Sequence, residues 1–366
     1  MKKHCPKNER IKRDYFIYLK EAKRMDISTI DAVAAAIAGF EQWTRYRDFQ
    51  LFRIAQATGF KTHLANERNK QTGKPLAKST IHARLIALKH FFSWLAGQQG
   101  YRSRIAYSDA EYFNPNANDS RIATAHRDKR VPTIDQTKLV LSEMPTGSDV
   151  EKRDRAIIAF TLLTGARDDA TASLKMRHLR LPERRVFQDA RDVRTKNRKS
   201  IDTTFFPVGD DVEAIVTAWI DYLTATLLFG PDDPVFPKTR MARGNEGYFG
   251  AAGLCRDHWS NAAAIRRIFK TAFEAAGLPY ANPHSLRSTL AALGQKLCRS
   301  PEDYKAWSQN LGHEQVLTTF VSYGNVAADR QAEIINGLKE LPSDGMSDGS
   351  TIEQIAALVE SLRMKA

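Results

Sequence analysis

A break in character between residues 97 and 133 most constrains how this chain can fold. Gly, Asn, Pro, Asp and Ser cluster in Gly97-Gln-Gln-Gly-Tyr-Arg-Ser-Arg and Tyr112-Phe-Asn-Pro-Asn-Ala-Asn-Asp-Ser, and a basic stretch runs on to Pro132. Stretches of this kind separate folding units rather than sit inside one. At 366 residues the chain also exceeds the usual size of a single core. Two domains are therefore expected. We read a basic N-terminal segment over 1–28, a helical domain with its linker over 29–131, a second domain over 132–342, and a linker with a tail helix over 343–366.

The first of these domains reads as helical. Val33, Ile37, Phe40, Trp43 and Tyr46 recur at helical spacing, as one long helix or a pair over 29–58, with Ser28 or Thr29 to cap and Gly59 to stop. A clearer helix starts at Lys78, with Ser79 or Thr80 as cap and Ile81, Leu85, Leu88, Phe92 and Leu95 on one stripe. Its other stripe carries His82, Arg84, Lys89 and His90. The net charge of +13 lies in this half: residues 1–130 hold 25 Lys+Arg against 12 Asp+Glu, leaving 30 (55 less 25) against 30 (42 less 12). A basic domain beside a charge-balanced one suits a polyanion, because phosphate neutralisation releases counterions. A plain solubility surface is the alternative. Lys78, His82, Arg84, Lys89, His90 and Arg130 are the candidate nucleic-acid contacts here.

The second domain reads as helices around a small sheet. Helices are expected over Ile134–Met144, Asp149–Leu163, 210–228, 260–276, 286–298 and 302–310. Short strands are expected at Val186–Gln188, Asp192–Thr195 and Ser200–Pro207, and an irregular insertion over 230–255. Beyond these lie Asp329–Leu338 and an amphipathic Thr351–Leu362. Cys5, Cys255 and Cys298 are far apart, with no Cys or His pairing at metal spacing, so neither a disulfide framework nor a zinc site is indicated. No apolar run approaches the ~18 residues of a membrane helix and no signal peptide opens the chain, so a soluble cytoplasmic protein is expected.

Five phrases in this domain carry chemistry. Thr164-Gly-Ala-Arg167 holds an arginine just past a Gly bend. Thr195-Lys-Asn-Arg-Lys199 is a basic turn between strands, with Lys196, Arg198 and Lys199. In Pro283-His284-Ser-Leu-Arg287, a helix starting at Pro283 sets His284 and Arg287 on one face. Leu311-Gly-His313 puts an imidazole beside a glycine, and Tyr323 follows ten residues later. Two guanidiniums can fork onto one phosphodiester, imidazoles can move protons, a lysine can protonate a leaving oxygen and a tyrosine can attack phosphorus. That set needs no metal.

In this order the phrases resemble those of the tyrosine recombinase (phage integrase) family: TGxR, a lysine in a β-hairpin, HxLR, LGH and a terminal tyrosine. The likeness extends over 160–326, and more loosely over 29–131 to the family's helical core-binding domain. The resemblance implies a mainly α fold with a small sheet or hairpin in the catalytic domain, and a two-domain clamp on double-stranded DNA. It implies Arg167 and Arg287 as phosphate clamp, Lys196 as general acid with Lys199 as the alternative, His284 for proton transfer, His313 as donor to the phosphate, and Tyr323 as nucleophile. Site-specific DNA recombination or integration through a 3′-phosphotyrosyl link is the implied activity, without metal, cofactor or ATP. The implied assembly is a homotetramer on DNA, monomeric when free, in the cytoplasm and associated with the nucleoid, encoded by a prokaryote, a phage or a mobile element. The rivals are a type IB topoisomerase and an inactive architectural DNA-binding protein. Two departures stand out. Ala170 occupies the place where the family has an acid, with Asp168 and Asp169 closer to the arginine, and Tyr323 lies ten rather than nine residues past His313.

Overall fold

The structure, a computed structural model, describes residues 4–69, 72–124, 131–243 and 249–313. The chain divides into two compact units at His126/Arg127. Arg130, Tyr323 and both tail helices lie outside the described residues.

The first unit is helical: α1 (Pro6–Ile17), α2 (Ile27–Trp43), α3 (Ile54–Asn66), α4 (Lys78–Ala96), the single turn α5 (Tyr107–Ala110) and α6 (Ala117–Thr124). Its core is aromatic. Phe40, Phe60, Phe91, Phe92 and Phe113 are all essentially inaccessible, and Phe40 meets Phe60, Phe92 and Phe113 edge-on, the arrangement that ring quadrupoles favour. Leu85, Leu88, Phe92 and Leu95 of α4 point into this core, as their spacing predicts.

Of the two forms expected over 29–58 the structure takes the pair, and three other local expectations differ. The 29–58 region is a pair of helices, broken where Arg45 and Tyr46 take positive φ. Gly59 does not stop a helix but sits inside α3, where a Cβ would come within 3.0 Å of the Trp43 ring. Its missing side chain serves packing. The caps also differ: Asp26, rather than Ser28 or Thr29, accepts from the Thr29 N–H, and α4 begins after Ala77 with no side-chain cap.

Residues before 29 also fold. Helix α1 is pinned to α2 by a buried polar knot: Asn8 Nδ2 donates to Glu41 Oε1 (3.0 Å) and to the Arg47 carbonyl (3.0 Å), its Oδ1 accepts from Phe49 N (3.0 Å), and Lys12 Nζ lies 2.5 Å from Glu41 Oε2. Glu41 is 1 % exposed. Removing one partner of such a buried pair strands the other charge. Glu41→Ala is accordingly expected to destabilise this unit by about 3–5 kcal/mol, with Glu41→Gln milder because it keeps an acceptor for Asn8. Urea unfolding followed by circular dichroism checks it, and an unchanged midpoint for Glu41→Ala would refute it.

The second unit wraps helices around α8 (Asp149–Thr164), whose residues from Ala156 to Thr164 are all buried. A capping box starts this helix, with Ser148 N donating to Glu151 Oε2 and Ser148 Oγ accepting from Glu151 N. Helix α7 (Ile134–Glu143) begins with the same device from Thr133 and Gln136. The others are the single turn α9 (Asp168–Thr171), α10 (Asp210–Asp221), α11 (Ala263–Ala275), α12 (Ser285–Leu297) and α13 (Pro301–Asn310).

An antiparallel sheet of order β1-β2-β3 forms from Leu179–Arg180, Arg185–Gln188 and Ile201–Thr204, with Gln188 opposite Ile201. Asp192–Thr195, expected as a strand, is instead part of the β2–β3 loop, because the Asp189 carbonyl draws the Asp192 and Val193 N–H groups into a turn. Conversely, the 230–255 insertion is not irregular throughout: β4 (Thr239–Arg243) and β5 (Phe249–Leu254) pair antiparallel. Exposed edges on a two-stranded ribbon leave little burial pattern to read from sequence.

Candidate active site

Helix α8 ends at Gly165, whose φ of +60° closes the helix in the left-handed conformation. A Cβ at Gly165 would lie 3.0 Å from Leu290 Cδ1 and 3.1 Å from Leu311 Cδ2, so this turn accepts only a glycine closely against α12 and the end of α13. Arg167 follows as the half-buried residue that opens α9. Ala170, three residues on, is buried in the core. Asp168 turns elsewhere, to Arg266 Nε at 2.6 Å, while Asp169 is exposed.

Arg287 joins three of the phrases. Only 2 % exposed on α12, it donates from Nη1 to the Gly165 carbonyl (2.5 Å) and from Nη2 to the Leu311 carbonyl (2.5 Å), with His313 Nε2 3.0 Å from Nη2. One guanidinium thus ties the TGxR turn, the HxLR helix and the LGH turn together. His284, three residues earlier, is exposed. The two therefore share a helix start but not an environment.

A guanidinium can only donate, so His313 Nε2 accepts from Arg287 and the proton of the neutral ring sits on Nδ1. Burial, followed by the charges of Arg287, Arg167, His284 and Lys196, pushes this imidazole down to about 4. Four of the candidates from the phrases thus act electrostatically on one ring. Because the folded value lies below the ordinary 6.5, the unfolded chain binds the extra proton first as pH falls. Stability present above pH 6.5 is therefore lost between about 6.5 and 4. Thermal midpoints over this range should fall less steeply in His313→Asn than in the wild type; equal slopes would contradict the assignment.

Lys196 sits in the loop between β2 and β3, exposed, just before Asn197 and Arg198, which both take positive φ. Lys199 is half-buried and Arg198 exposed. The base of this hairpin is locked to the LGH turn. Asn310, at the end of α13, accepts from Thr204 N (2.8 Å) and donates to Thr204 O (2.8 Å), and Thr203 Oγ1 donates to the Asn310 carbonyl (3.1 Å). Gly312, at φ +71°, lies so close to Ile201 that a Cβ would fall 2.8 Å from Cδ1. No sequence signal marks Asn310 or Ile201, whose partners lie about a hundred residues away.

The candidate contacts of the first unit are placed differently. Lys78 pairs with Asp119, Arg84 with Glu67 and Lys89 with Glu111, each at 2.9 Å, while His82 is half-buried and His90 exposed. Surface pairs of this kind are worth roughly 0–1 kcal/mol, so phosphate can displace the carboxylates at little cost.

A cavity of about 620 Å³ lies under the β4–β5 hairpin, lined by Met144, Arg153, Thr239 and Trp259. None of Arg167, Lys196, His284, Arg287 or His313 lines it. Among the described residues, no three His, Cys, Asp or Glu side chains gather as a metal-holding group, and no helix is long and apolar enough to cross a membrane.

The sequence model of the phage integrase family matches residues 131–330. The tyrosine recombinase XerC of Lactobacillus delbrueckii subsp. bulgaricus is 22% identical over 325 residues, covering 84% of this chain and 92% of the relative. In fold, the chain is similar to a lambda integrase dimer bound to a COC' core site (TM-score 0.59, 13% identity, 93% of this chain and 99% of that one). It is likewise similar to the Tn1549 transposon integrase in complex with transposon right end DNA (TM-score 0.56, 16% identity, 90% and 99%).

Proposed function

The chain belongs to the phage integrase family of tyrosine recombinases, which act in site-specific recombination, and from that membership we propose that it cleaves and rejoins duplex DNA through a 3′-phosphotyrosyl link. The observation that carries this reading is the tie made by Arg287, which joins the TGxR turn, the HxLR helix and the LGH turn beside His313, a ring on which the charges of Arg167, His284 and Lys196 also act. Such a cluster of fixed positive charge and N–H donors stabilises charge developing on a phosphodiester without reorganising at the moment of reaction.

The step balances with the chain's own groups. Tyr323 Oη forms a bond to phosphorus and its proton passes to the His284 imidazole. The P–O5′ bond breaks and the departing O5′ takes a proton from the Lys196 ammonium. Arg167 and Arg287 bear the negative charge on the non-bridging oxygens, and His313 offers its Nδ1–H. The energy of the broken bond is kept in the phosphotyrosyl link, so a 5′-hydroxyl from another strand can reverse the step without ATP. Lys196, whose charge is among those acting on His313, is the acid in this reading, with Lys199 of the same turn as the alternative.

The basic helical unit serves in this reading as the core-binding half of a clamp, with the 132–342 domain as its catalytic half. Exchange between two sites requires four active subunits, which points to a tetramer assembled on DNA from free monomers. A place in the cytoplasm or nucleoid of a prokaryote, in host, phage or mobile-element service, follows. The test is a nicked duplex carrying the target site, incubated in EDTA and without ATP. A covalent adduct that survives denaturation, together with product from two-site recombination, supports the proposal. Supercoil relaxation without two-site product supports the topoisomerase, and absence of any adduct supports the architectural protein.

A further inference from the structure

We propose that Ser173 is a positioning residue for proton donation, holding the Lys196 loop at a set distance from the Arg167 turn. This rests on the reading of Lys196 as general acid. The Ser173 hydroxyl, 5 % exposed, is shared by both segments. It donates to the carbonyls of Asp169 (3.0 Å) and Ala170 (3.1 Å), in the helical turn that begins one residue after Arg167. The same oxygen accepts the backbone N–H of Arg194 at 2.9 Å, two residues before Lys196. A single buried oxygen thus sets the spacing between a phosphate-clamping arginine and the ammonium that must reach the leaving oxygen.

The neighbouring contacts make this the pivot of the loop. On the side before Ser173's partner, Val193 is buried in the core and Asp192 is gripped by Arg177 Nη2 at 2.5 Å, with Lys175 Nζ and His178 Nε2 each 3.5 Å away. Arg194 itself donates from Nη2 to the Trp259 carbonyl (2.9 Å). The loop closes where Ser200 Oγ accepts from Ala190 N (3.1 Å). Lys196 lies on the stretch between these fastenings, so the last anchor before it decides where its ammonium starts. Proton transfer needs the donor within hydrogen-bond reach, and a misplacement of ~1 Å can cost ~100-fold. The Ala170 carbonyl keeps a backbone partner in a Ser173→Ala variant, because Ser173 N still donates to it. The Arg194 N–H, in contrast, loses its acceptor.

The experiment compares two nicked duplexes, one ordinary and one with sulfur replacing the bridging 5′-oxygen at the scissile phosphate. A thiolate leaves without being protonated, so the sulfur substrate is blind to the general acid. Ser173→Ala is expected to cleave the ordinary duplex roughly 10- to 100-fold more slowly than the wild type and the sulfur duplex at the wild-type rate. Lys196→Met is the control, with a larger loss on oxygen and the same rescue by sulfur. Ser173→Ala slowed equally on both duplexes, or unimpaired on oxygen, overturns the inference. If sulfur fails to rescue Lys196→Met, the general-acid reading itself falls, whatever Ser173→Ala does.

Discussion

Tyr323→Phe is expected to abolish covalent protein–DNA adducts, by at least about a thousandfold against the wild type, while binding to the target duplex stays within about twofold. The change removes one oxygen and no charge, so it leaves the phosphate-binding groups and the basic first unit as they are. A phenol near pKa ~10 is a weak nucleophile at neutral pH, and only one held beside a concentrated positive site becomes competent. Tyr280 is the side chain most able to confuse the result. It lies close enough to Asp168 and Arg266 to feel their charges, hence near the Arg167 turn. Burial pushes its phenol above the ordinary value, which makes phenolate scarcer there. Tyr280→Phe should therefore retain adduct formation. Adducts persisting in Tyr323→Phe and lost in Tyr280→Phe would reassign the nucleophile. The suicide duplex reads both variants directly on a denaturing gel.

Arg287→Ala is expected to damage both folding and chemistry. Its guanidinium satisfies the carbonyls of Gly165 and Leu311 in a buried setting, and hydrogen bonds from charged donors are worth about 1.5–3 kcal/mol each. A loss of about 3–5 kcal/mol from the catalytic unit follows, with cleavage reduced about 100- to 1,000-fold or more in whatever remains folded. Arg287→Lys separates charge from geometry. An ammonium keeps the charge but not the planar fork that spans two carbonyls and the His313 ring. The lysine variant should therefore recover part of the stability and little of the cleavage. Equal unfolding midpoints for Arg287→Ala and the wild type would show that the three-way tie does not hold the site together; full cleavage by Arg287→Lys would show that the fork is not needed.

What was legible in the sequence follows from how local each signal is. The helices of both units could be read because an apolar stripe repeats every three or four residues, and Leu85, Leu88, Phe92 and Leu95 show it directly. The division near residue 126 falls within the stretch whose composition announced a linker. The candidate phrases were visible for a related reason: Arg167, His284 and His313 each lie beside a glycine or proline that shapes the backbone locally, and Lys196 lies in a polar turn. The groups that assemble those phrases have no such phrase. Ser173, Asn310 and Asp192 act through partners brought near by the tertiary fold, and a serine or asparagine carries no pattern for that. Gly59 misled for the same reason, since Trp43, packed on it from another helix, decided its role. The burial of Arg287 was also illegible, because a charged residue on a helix face reads as solvent-facing until its acceptors are known.

The tie made by Arg287 has a consequence for the order in which the molecule comes into being. Its two carbonyl partners lie 122 residues upstream and 24 downstream. Contacts of such separation form late, after the intervening chain has closed its loops. During synthesis the basic helical unit emerges and can fold first, while Arg167 waits for Arg287 and then for the Leu311 turn. The nascent chain thus passes through a period in which its polyanion-attracting half is complete and its bond-breaking half is not. The tie that joins the three turns is deferred until the Leu311 carbonyl, nearly the last of the described residues, has left the ribosome.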